Sequence, residues 1–502
     1  MNRREFLKTG AQAAVAGTVA ASGCATTNAT RTTKAGADFT PAILATYTAE
    51  DHRRRLQSIA IGERGIRACM RKHLITDYMP GHCVYNLGEY PARKPWNPDD
   101  WDEHELDKLR DDGIRLIQLH EEWNDSQRLN GADKYSPVNP TGFRRFVEMV
   151  HRRGMKLIVY VSTGFFQRTD PDFREEWARQ QDLVEIYFRY ARCSPASPSW
   201  RAYLLPKLMH VLDDYGVDGL YNDCGYAKLW NNRQPPTPDE VLAFNESLTN
   251  DGAVCDLLAL IYAEVKRRGG LVNFHISGAN RPQTDLKTYD YLWVGEGGNN
   301  GDKLREIVKN HPPYVAPCLD MSRAKIGSED ELYLHAIPYM QFPVLLAGRP
   351  FTGERAQAAG VSYPRGEKCF WTRHLRAMGK HYREHPEGPH SYGWWDSCPG
   401  RPEARPTHAR WLKQYLPLVE EGTWAWLEIG DSDLFAAPLP KDVVASAFAN
   451  REFHLVLANY GQSVVEVATR DAYAPVAEAG AAPRKQWTLP ARSLQILRRS
   501  GA

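Results

Sequence analysis

The chain has 502 residues, of which 42% are hydrophobic and 25% are charged. This length exceeds that of one small domain and is sufficient to bury a large apolar core. The formal net charge of +2 excludes a global electrostatic attraction for nucleic acid or another anionic polymer. The 14 Trp and 24 Tyr fit either ordinary core packing or stacking platforms for sugars.

The N-terminus has the features of an export signal over residues 1–24. Its Arg3-Arg4 pair resembles a twin-arginine motif. The Ala-rich apolar stretch that follows is too short to remain as a membrane-spanning helix. The tetrapeptide Ala-Ser-Gly-Cys resembles a lipobox, which predicts a lipid on Cys24, and residues 25–45 are predicted to form a Thr- and Ala-rich tether. We therefore expect a lipoprotein with a signal peptide, exported to the periplasm or the cell surface by twin-arginine translocation.

A strand–helix rhythm follows, in which charged amphipathic stretches end in Gly and short apolar runs come next. Gly commonly ends helices, and apolar strands without alternation are typical of strands buried on both faces. The predicted helices span 102–112, 141–153, 200–215 and 239–268. The predicted strands span 114–120, 155–161, 217–222, 271–276, 291–296, 313–320 and 342–348, and a first strand lies upstream, near either 73–79 or 82–88.

Eight such units in one continuous run predict a (β/α)₈ TIM barrel over residues 46–421. A doubly wound open sheet is the alternative, but the chain lacks a Gly-rich phosphate loop at its first turn. Helical patterns at 371–384 and 410–421 are predicted to follow the barrel, the first of them closing it. After Gly422 the pattern changes to short strands with turn residues between them, which predicts a C-terminal antiparallel β-sandwich-like domain over residues 422–502.

Polar and aromatic side chains gather where the predicted barrel strands end. In a barrel these ends form the active-site face, and polar groups there are costly unless they are paired or work in a cleft. Each one alone is more often a helix cap or a structural ion pair, whereas the whole set at one end favours a site. The candidates are Glu121, Glu122, Trp123, Asp125, Asn222, Asp223, His275, Trp293, Glu296, Asp320 and Arg349.

Two carboxylates that face one another across a pocket are what glycoside hydrolysis needs. The stretch from Asp218 to Asp223, Asp-Gly-Leu-Tyr-Asn-Asp, resembles the strand-four motif Asp-Tyr-Leu-Lys-Tyr-Asp of the clan that includes α-galactosidases and α-glucosidases. The resemblance implies a barrel glycosidase whose nucleophile is Asp223 and whose acid/base, after strand six, is Glu296. The sequence departs from the clan pattern at two points. The clan usually has Asp as its acid/base, where this sequence has Glu296, and Tyr221 stands in place of the motif's Lys.

On this interpretation the protein is a glycosidase of carbohydrate metabolism, using a two-carboxylate retaining mechanism and no cofactor. Trp123 and Trp293 are predicted to stack on the sugar. The side chains predicted to hydrogen-bond or contact the substrate are Glu121, Glu122, Asp125, Asn222, His275, Asp320 and Arg349.

Two other functions stay open at this point. The first is a non-catalytic glycan-binding barrel at the cell surface, although a binding protein has no need of a matched acid pair. The second is a metal-dependent hydrolase, for which His120, His275 and Asp320 are the possible ligands. No two of the nine cysteines form a CxxC pair, which disfavours a zinc cage.

Overall fold

The computed structural model of the protein describes residues 47–88, 96–120, 123–124, 135–137, 139–167, 172–178, 190–223, 252–275, 286–294, 301–309, 315–317, 328–341, 343–350 and 400–500. The predicted signal, Cys24, the tether up to residue 45 and the helix predicted at 371–384 lie outside these residues.

Eight parallel strands form the first sheet. In chain order, barrel strands one to eight are His82–Asn86, Leu116–Leu119, Lys156–Ser162, Gly219–Asp223, Leu271–His275, Tyr291–Val294, Val315–Pro317 and Leu345–Gly348. Their spatial order is seven, six, five, four, three, two, one, eight, so the last strand pairs with the first. This order confirms the predicted barrel and places its first strand at the later of the two predicted positions.

Helices follow the strands with the predicted alternation. They are α1 (Ala49–Gly65), α2 (Asp100–Asp111), α3 (Pro140–His151), α4 (Pro198–Tyr215), α5 (Gly252–Arg267), α6 (Gly301–Val308), α7 (Glu329–Ala336) and α8 (Arg405–Tyr415). The sequence explains their ends. Asp99 caps α2 in a reciprocal capping box with Asp102, and Gly216, at a φ of 70°, ends α4 in the left-handed conformation that favours glycine.

A second sheet of seven antiparallel strands forms the C-terminal domain. In spatial order its strands are Cys69–Leu74, Trp424–Ile429, Val443–Ala449, Phe453–Asn459, Ser493–Arg499, Val465–Pro475 and Arg484–Leu489. The predicted C-terminal β domain is therefore confirmed. A separate two-stranded antiparallel sheet after barrel strand three, Phe165–Gln167 with Tyr190–Arg192, was not predicted.

The N-terminal edge of the barrel differs from the prediction. Cys69–Leu74 pairs antiparallel with Trp424–Ile429, and α1 packs against the same domain, where a Cβ on Gly62 would lie 2.6 Å from the ring of Trp426. Residues 49–74 are thus part of the C-terminal domain, although they precede the barrel in the chain. The physical reason is that half-buried and exposed residues alternate along the first part of Cys69–Leu74, a pattern typical of one-sided antiparallel sheets and not of barrel strands covered on both faces.

The barrel and the C-terminal domain share an apolar core. Side chains from one face of the second sheet, among them Leu427, Phe448 and Ile496, belong to the same buried cluster as the barrel strands. An ion pair reinforces this contact, because Nε of Arg492 donates to Oε1 of Glu331 on α7 at 2.9 Å. The second sheet is therefore packed directly on the barrel.

Two further facts bear on the sequence predictions. Within the part of the chain that the structure describes, no helix combines the length and apolar character needed to cross a bilayer. Cys69 and Cys83, both in that part, are free thiols.

Two buried histidines make the fold sensitive to acid. Burial is the main cause that lowers the pKa of His82, inside the barrel, and of His454, in the second sheet, to about 4 each. Between pH 6.5 and 4 the unfolded chain therefore binds protons that the folded chain does not, so stability falls as pH falls. We expect each histidine to remove about 2 kcal/mol of unfolding free energy between pH 7 and pH 5.

Denaturant unfolding of wild type and His454→Gln at the two pH values measures this effect. The difference between pH 7 and pH 5 should shrink by about 2 kcal/mol in the variant. The matched control is His52→Gln, at an exposed position on α1, and it should keep the wild-type difference. An equal pH dependence in wild type and His454→Gln would contradict the assignment.

Candidate active site at the carboxyl ends of the barrel strands

Asp223 ends barrel strand four at the face where the carboxyl ends of all eight strands meet. The strand begins at Gly219, whose φ is 158° and where a Cβ would lie 2.0 Å from the carbonyl oxygen of Leu271 on strand five. Only glycine permits this close approach of the two backbones. It sets the register in which Asp223 lies beside His275.

Side chains from both neighbouring strands contact the Asp223 carboxylate. The hydroxyl of Tyr160, on strand three, donates to Oδ2 at 2.9 Å. Nδ1 of His275, on strand five, lies 3.4 Å from Oδ1. The Asp223 side chain is 32% exposed, so its carboxylate is held by the barrel and still reached from solvent. Both of these partners are side chains of neighbouring barrel strands.

His275 connects Asp223 to the barrel interior. Its Nδ1 lies 2.9 Å from the hydroxyl of Tyr221, and the two rings stack with an angle of 18° between their planes. Because Tyr221 and Asp223 are two residues apart on one strand, both point to the inside of the barrel. The predicted substrate residue His275 is thus placed next to the predicted nucleophile.

A polar layer lies below these residues inside the barrel. The side-chain amide of Asn273 donates to Oε1 of Gln118 at 2.7 Å, and Nε2 of Gln118 lies 3.3 Å from Nε2 of His120. The ring of His120 packs at 5.1 Å from that of Tyr221. Most buried polar groups in proteins are hydrogen-bonded, and Gln118 here connects Asn273 to His120 beneath the side chains of the site.

The structure corrects the roles predicted for the two tryptophans. Trp123 is fully buried, stacks on Phe143 of α3 and donates from its indole nitrogen to the carbonyl oxygen of Tyr160 at 2.9 Å. Trp293 is fully buried inside the barrel, with its ring 5.3 Å from that of Tyr221. A fully buried ring has no face for a sugar, so both side chains pack the site from behind instead of lining it.

Two polar candidates also have structural partners. Asn222, buried and on the opposite face of its strand from Asp223, accepts a hydrogen bond from Thr163 at 2.8 Å. This placement corrects its predicted contact with substrate. Arg349 donates to Asp102 at 2.9 Å and to Asp99 at 2.8 Å, at the start of α2. Its predicted substrate contact is therefore replaced by a structural ion pair.

The remaining candidates lie outside the described residues. They are Glu121, Glu122, Asp125, Glu296 and Asp320. Their roles, including that of Glu296 as acid/base, stay predictions. Among the described residues, no group of three or more His, Cys, Asp or Glu side chains is arranged to hold a metal ion.

Sequence analysis missed Tyr160, and it noted Tyr221 only as a departure from the clan motif. Both are aromatic residues near the ends of apolar strands, where a Tyr is normally interpreted as a residue of the core. The parallel register pairs Tyr160 with Tyr221 and Ser162 with Asp223. A signal was present, because a Tyr near the end of strand three faces the end of strand four in any barrel with this register.

No family model matches the chain, and no curated protein matches it in sequence. Similar solved structures include several of trehalulose synthase MutB. The enzyme from Pseudomonas mesoacidophila MX-45 has a TM-score of 0.52 at 12% identity, covering 84% of this chain and 99% of that chain. A MutB mutant in complex with the substrate sucrose has a TM-score of 0.52 at 12% identity, covering 85% and 100%. At this identity the likeness shows a common fold, a barrel followed by a C-terminal β domain.

The Arg349 ion pair should contribute to stability. Asp102 is 2% exposed, and burial raises the pKa of its carboxyl above the usual value although Arg349 and Tyr85 donate to it. Arg349→Met leaves this buried carboxylate without its cation, so we expect a loss of about 3 kcal/mol of unfolding free energy at pH 7. The matched control is Arg110→Met, at an exposed pair on α2, which should lose less than about 1 kcal/mol. Equal losses, measured by denaturant unfolding, would show that the Arg349 pair is not structural.

Proposed function

We propose that the protein is a glycoside hydrolase that cleaves O-glycosidic bonds of a glycan or oligosaccharide, with Asp223 as its catalytic nucleophile. The observation that carries this proposal is the partly exposed Asp223 carboxylate at the barrel mouth, contacted by Tyr160 at 2.9 Å and His275 at 3.4 Å. The common fold with trehalulose synthase MutB, one structure of which contains its substrate sucrose, supports a carbohydrate substrate. Membership of the α-galactosidase and α-glucosidase clan is part of the proposal and rests on the strand-four motif.

The reaction proceeds in two displacements. A carboxylate oxygen of Asp223 forms a bond to the anomeric carbon while the glycosidic bond breaks, and its electron pair goes to the leaving oxygen, which takes a proton from Glu296. Water then attacks the anomeric carbon of the glycosyl ester, Glu296 takes a proton from it, and the Asp223 carboxylate is released. The retaining course requires the two carboxyl groups to lie about 5–5.5 Å apart, whereas inversion requires about 6.5–9.5 Å.

Asp223→Asn tests the nucleophile directly. The amide has nearly the shape of the carboxylate but does not attack the anomeric carbon, so we expect a loss of at least about a hundredfold in kcat/KM. Activity is measured on a panel of aryl glycosides together with sucrose and other disaccharides. The matched control is Asp111→Asn, an exposed carboxylate at the end of α2, which should keep wild-type activity.

Three results would contradict the proposal. Wild-type protein that hydrolyses no member of the panel, yet binds glycans, would support the glycan-binding alternative. Activity abolished by a chelator and restored by a divalent cation would support the metal-dependent alternative. Full activity in Asp223→Asn would remove Asp223 from the mechanism, and thermal unfolding of the variant shows whether a loss of activity is a loss of fold.

We propose in addition that the mature protein is held at the membrane by a lipid on Cys24 after twin-arginine export. Mass spectrometry of native protein should then find residues 1–23 absent and Cys24 acylated.

Replacement of Arg3-Arg4 by Lys-Lys should retain the precursor inside the cell. Cys24→Ser should move the protein from the membrane fraction to the soluble fraction, whereas Cys69→Ser, at a free thiol of the folded part, should not. An intact Met1 would contradict the signal, and an unmodified Cys24 would contradict the lipid anchor.

A further inference from the structure

Tyr160 is held in place through both its ring and its backbone. Its side chain is buried, its ring meets that of Tyr221 edge to face at 5.7 Å, and its carbonyl oxygen accepts from the indole of Trp123 at 2.9 Å. Barrel strand three therefore fixes both the backbone and the ring of Tyr160. The hydroxyl is left pointing at Oδ2 of Asp223, to which it donates at 2.9 Å.

We infer that Tyr160 is a positioning residue that holds Oδ2 of Asp223, so that Oδ1 is the oxygen that attacks the anomeric carbon. This inference rests on the proposed function and names the atom that reacts. A hydrogen bond to one carboxylate oxygen restricts the orientation of the carboxylate plane, because the donor lies close to that plane. Oδ1 then faces the side of His275, whose Nδ1 lies 3.4 Å away.

The hydrogen bond affects the two displacements differently. When Oδ1 bonds to the anomeric carbon, Oδ2 becomes the carbonyl oxygen of a neutral ester and accepts more weakly from Tyr160. When the ester is cleaved, the bond from Oδ1 to carbon breaks, the electron pair stays on Asp223, and Oδ2 regains charge opposite the Tyr160 hydroxyl. A charge-assisted hydrogen bond is stronger than a neutral one. Tyr160 therefore assists cleavage of the ester more than its formation.

The same contact predicts how removal of the Tyr160 hydroxyl changes the response of the site to pH. In the described part of the chain, the titratable groups that face the Asp223 carboxylate are Tyr160 from strand three and His275 from strand five, with Tyr221 next to His275. A donor to the charged form favours that form, so loss of the Tyr160 hydroxyl makes the carboxylate easier to protonate. The acidic limb of the pH–rate profile should then move to higher pH.

Tyr160→Phe tests the inference because it removes one hydroxyl and keeps the ring. On an activated aryl glycoside, for which ester cleavage limits turnover, we expect kcat to fall about tenfold or more. KM should fall with it, because the ester accumulates, and kcat/KM should fall less. A purely structural role would not lower KM. The matched control is Tyr203→Phe, which removes a hydroxyl that donates to the exposed carboxylate of Asp172 at 3.1 Å, away from the site, and it should leave all three parameters unchanged.

A second measurement separates this inference from the proposed function. In protein labelled with ¹³C at the aspartate carboxyl carbons, the signal lost in Asp223→Asn identifies Asp223, and its titration is followed in wild type and Tyr160→Phe. A midpoint that moves to higher pH in the variant supports the contact, even if no glycoside is hydrolysed and the proposed function fails. An unchanged midpoint, or an unchanged KM and acidic limb in an active enzyme, would overturn the inference.

Discussion

The parallel pairing of neighbouring barrel strands, strand eight with strand one included, is the constraint on which the site depends. It brings Gly348, with a φ of 81°, so close to strand one that a Cβ would lie 2.3 Å from the carbonyl oxygen of Asn86. The amide side chain of Asn86 then donates to the carbonyl oxygen of Arg349 at 2.8 Å. All eight strands run parallel, so their carboxyl ends lie on one face. Asp223, Tyr160 and His275 meet there because strands three, four and five are neighbours in register.

The interior of the barrel contains many polar side chains, and their exposure increases toward the mouth of the barrel. Below the site, the amide of Asn273 donates to Gln118, while His82 is kept neutral by burial, with its pKa lowered to about 4. Above them the side chains become titratable and partly exposed, with His275 at 15% and Asp223 at 32%. A buried network that is largely paired is rigid. It therefore gives His275 and Asp223 a fixed support. The buried polar groups cost stability, but they lie where a charged carboxylate must be held near apolar walls.

The C-terminal domain supports the barrel from the opposite end of the chain. Its sheet shares a core with the barrel and takes its edge strand, Cys69–Leu74, from the segment just before barrel strand one. Both ends of the barrel segment are thereby anchored in the second sheet. The Arg492 contact with Glu331 adds a polar connection to α7, which precedes barrel strand eight. The second domain thus supports barrel strands one and eight, which pair with one another.

Sequence alone determined the local structure of this protein, because glycines that end helices, helix caps and apolar runs are local signals. The strand predicted over 217–222 is observed at Gly219–Asp223, and the helix predicted over 200–215 is observed at Pro198–Tyr215. It also singled out Asp223 as a candidate, since a carboxylate at the end of an apolar strand is costly wherever the strand lies. Tertiary structure decided which side chains face one another. The burial of Trp123, the contact of Tyr160 with Asp223 and the pairing of Cys69–Leu74 with a strand some 350 residues away all depend on register and packing between distant segments, which no local pattern encodes.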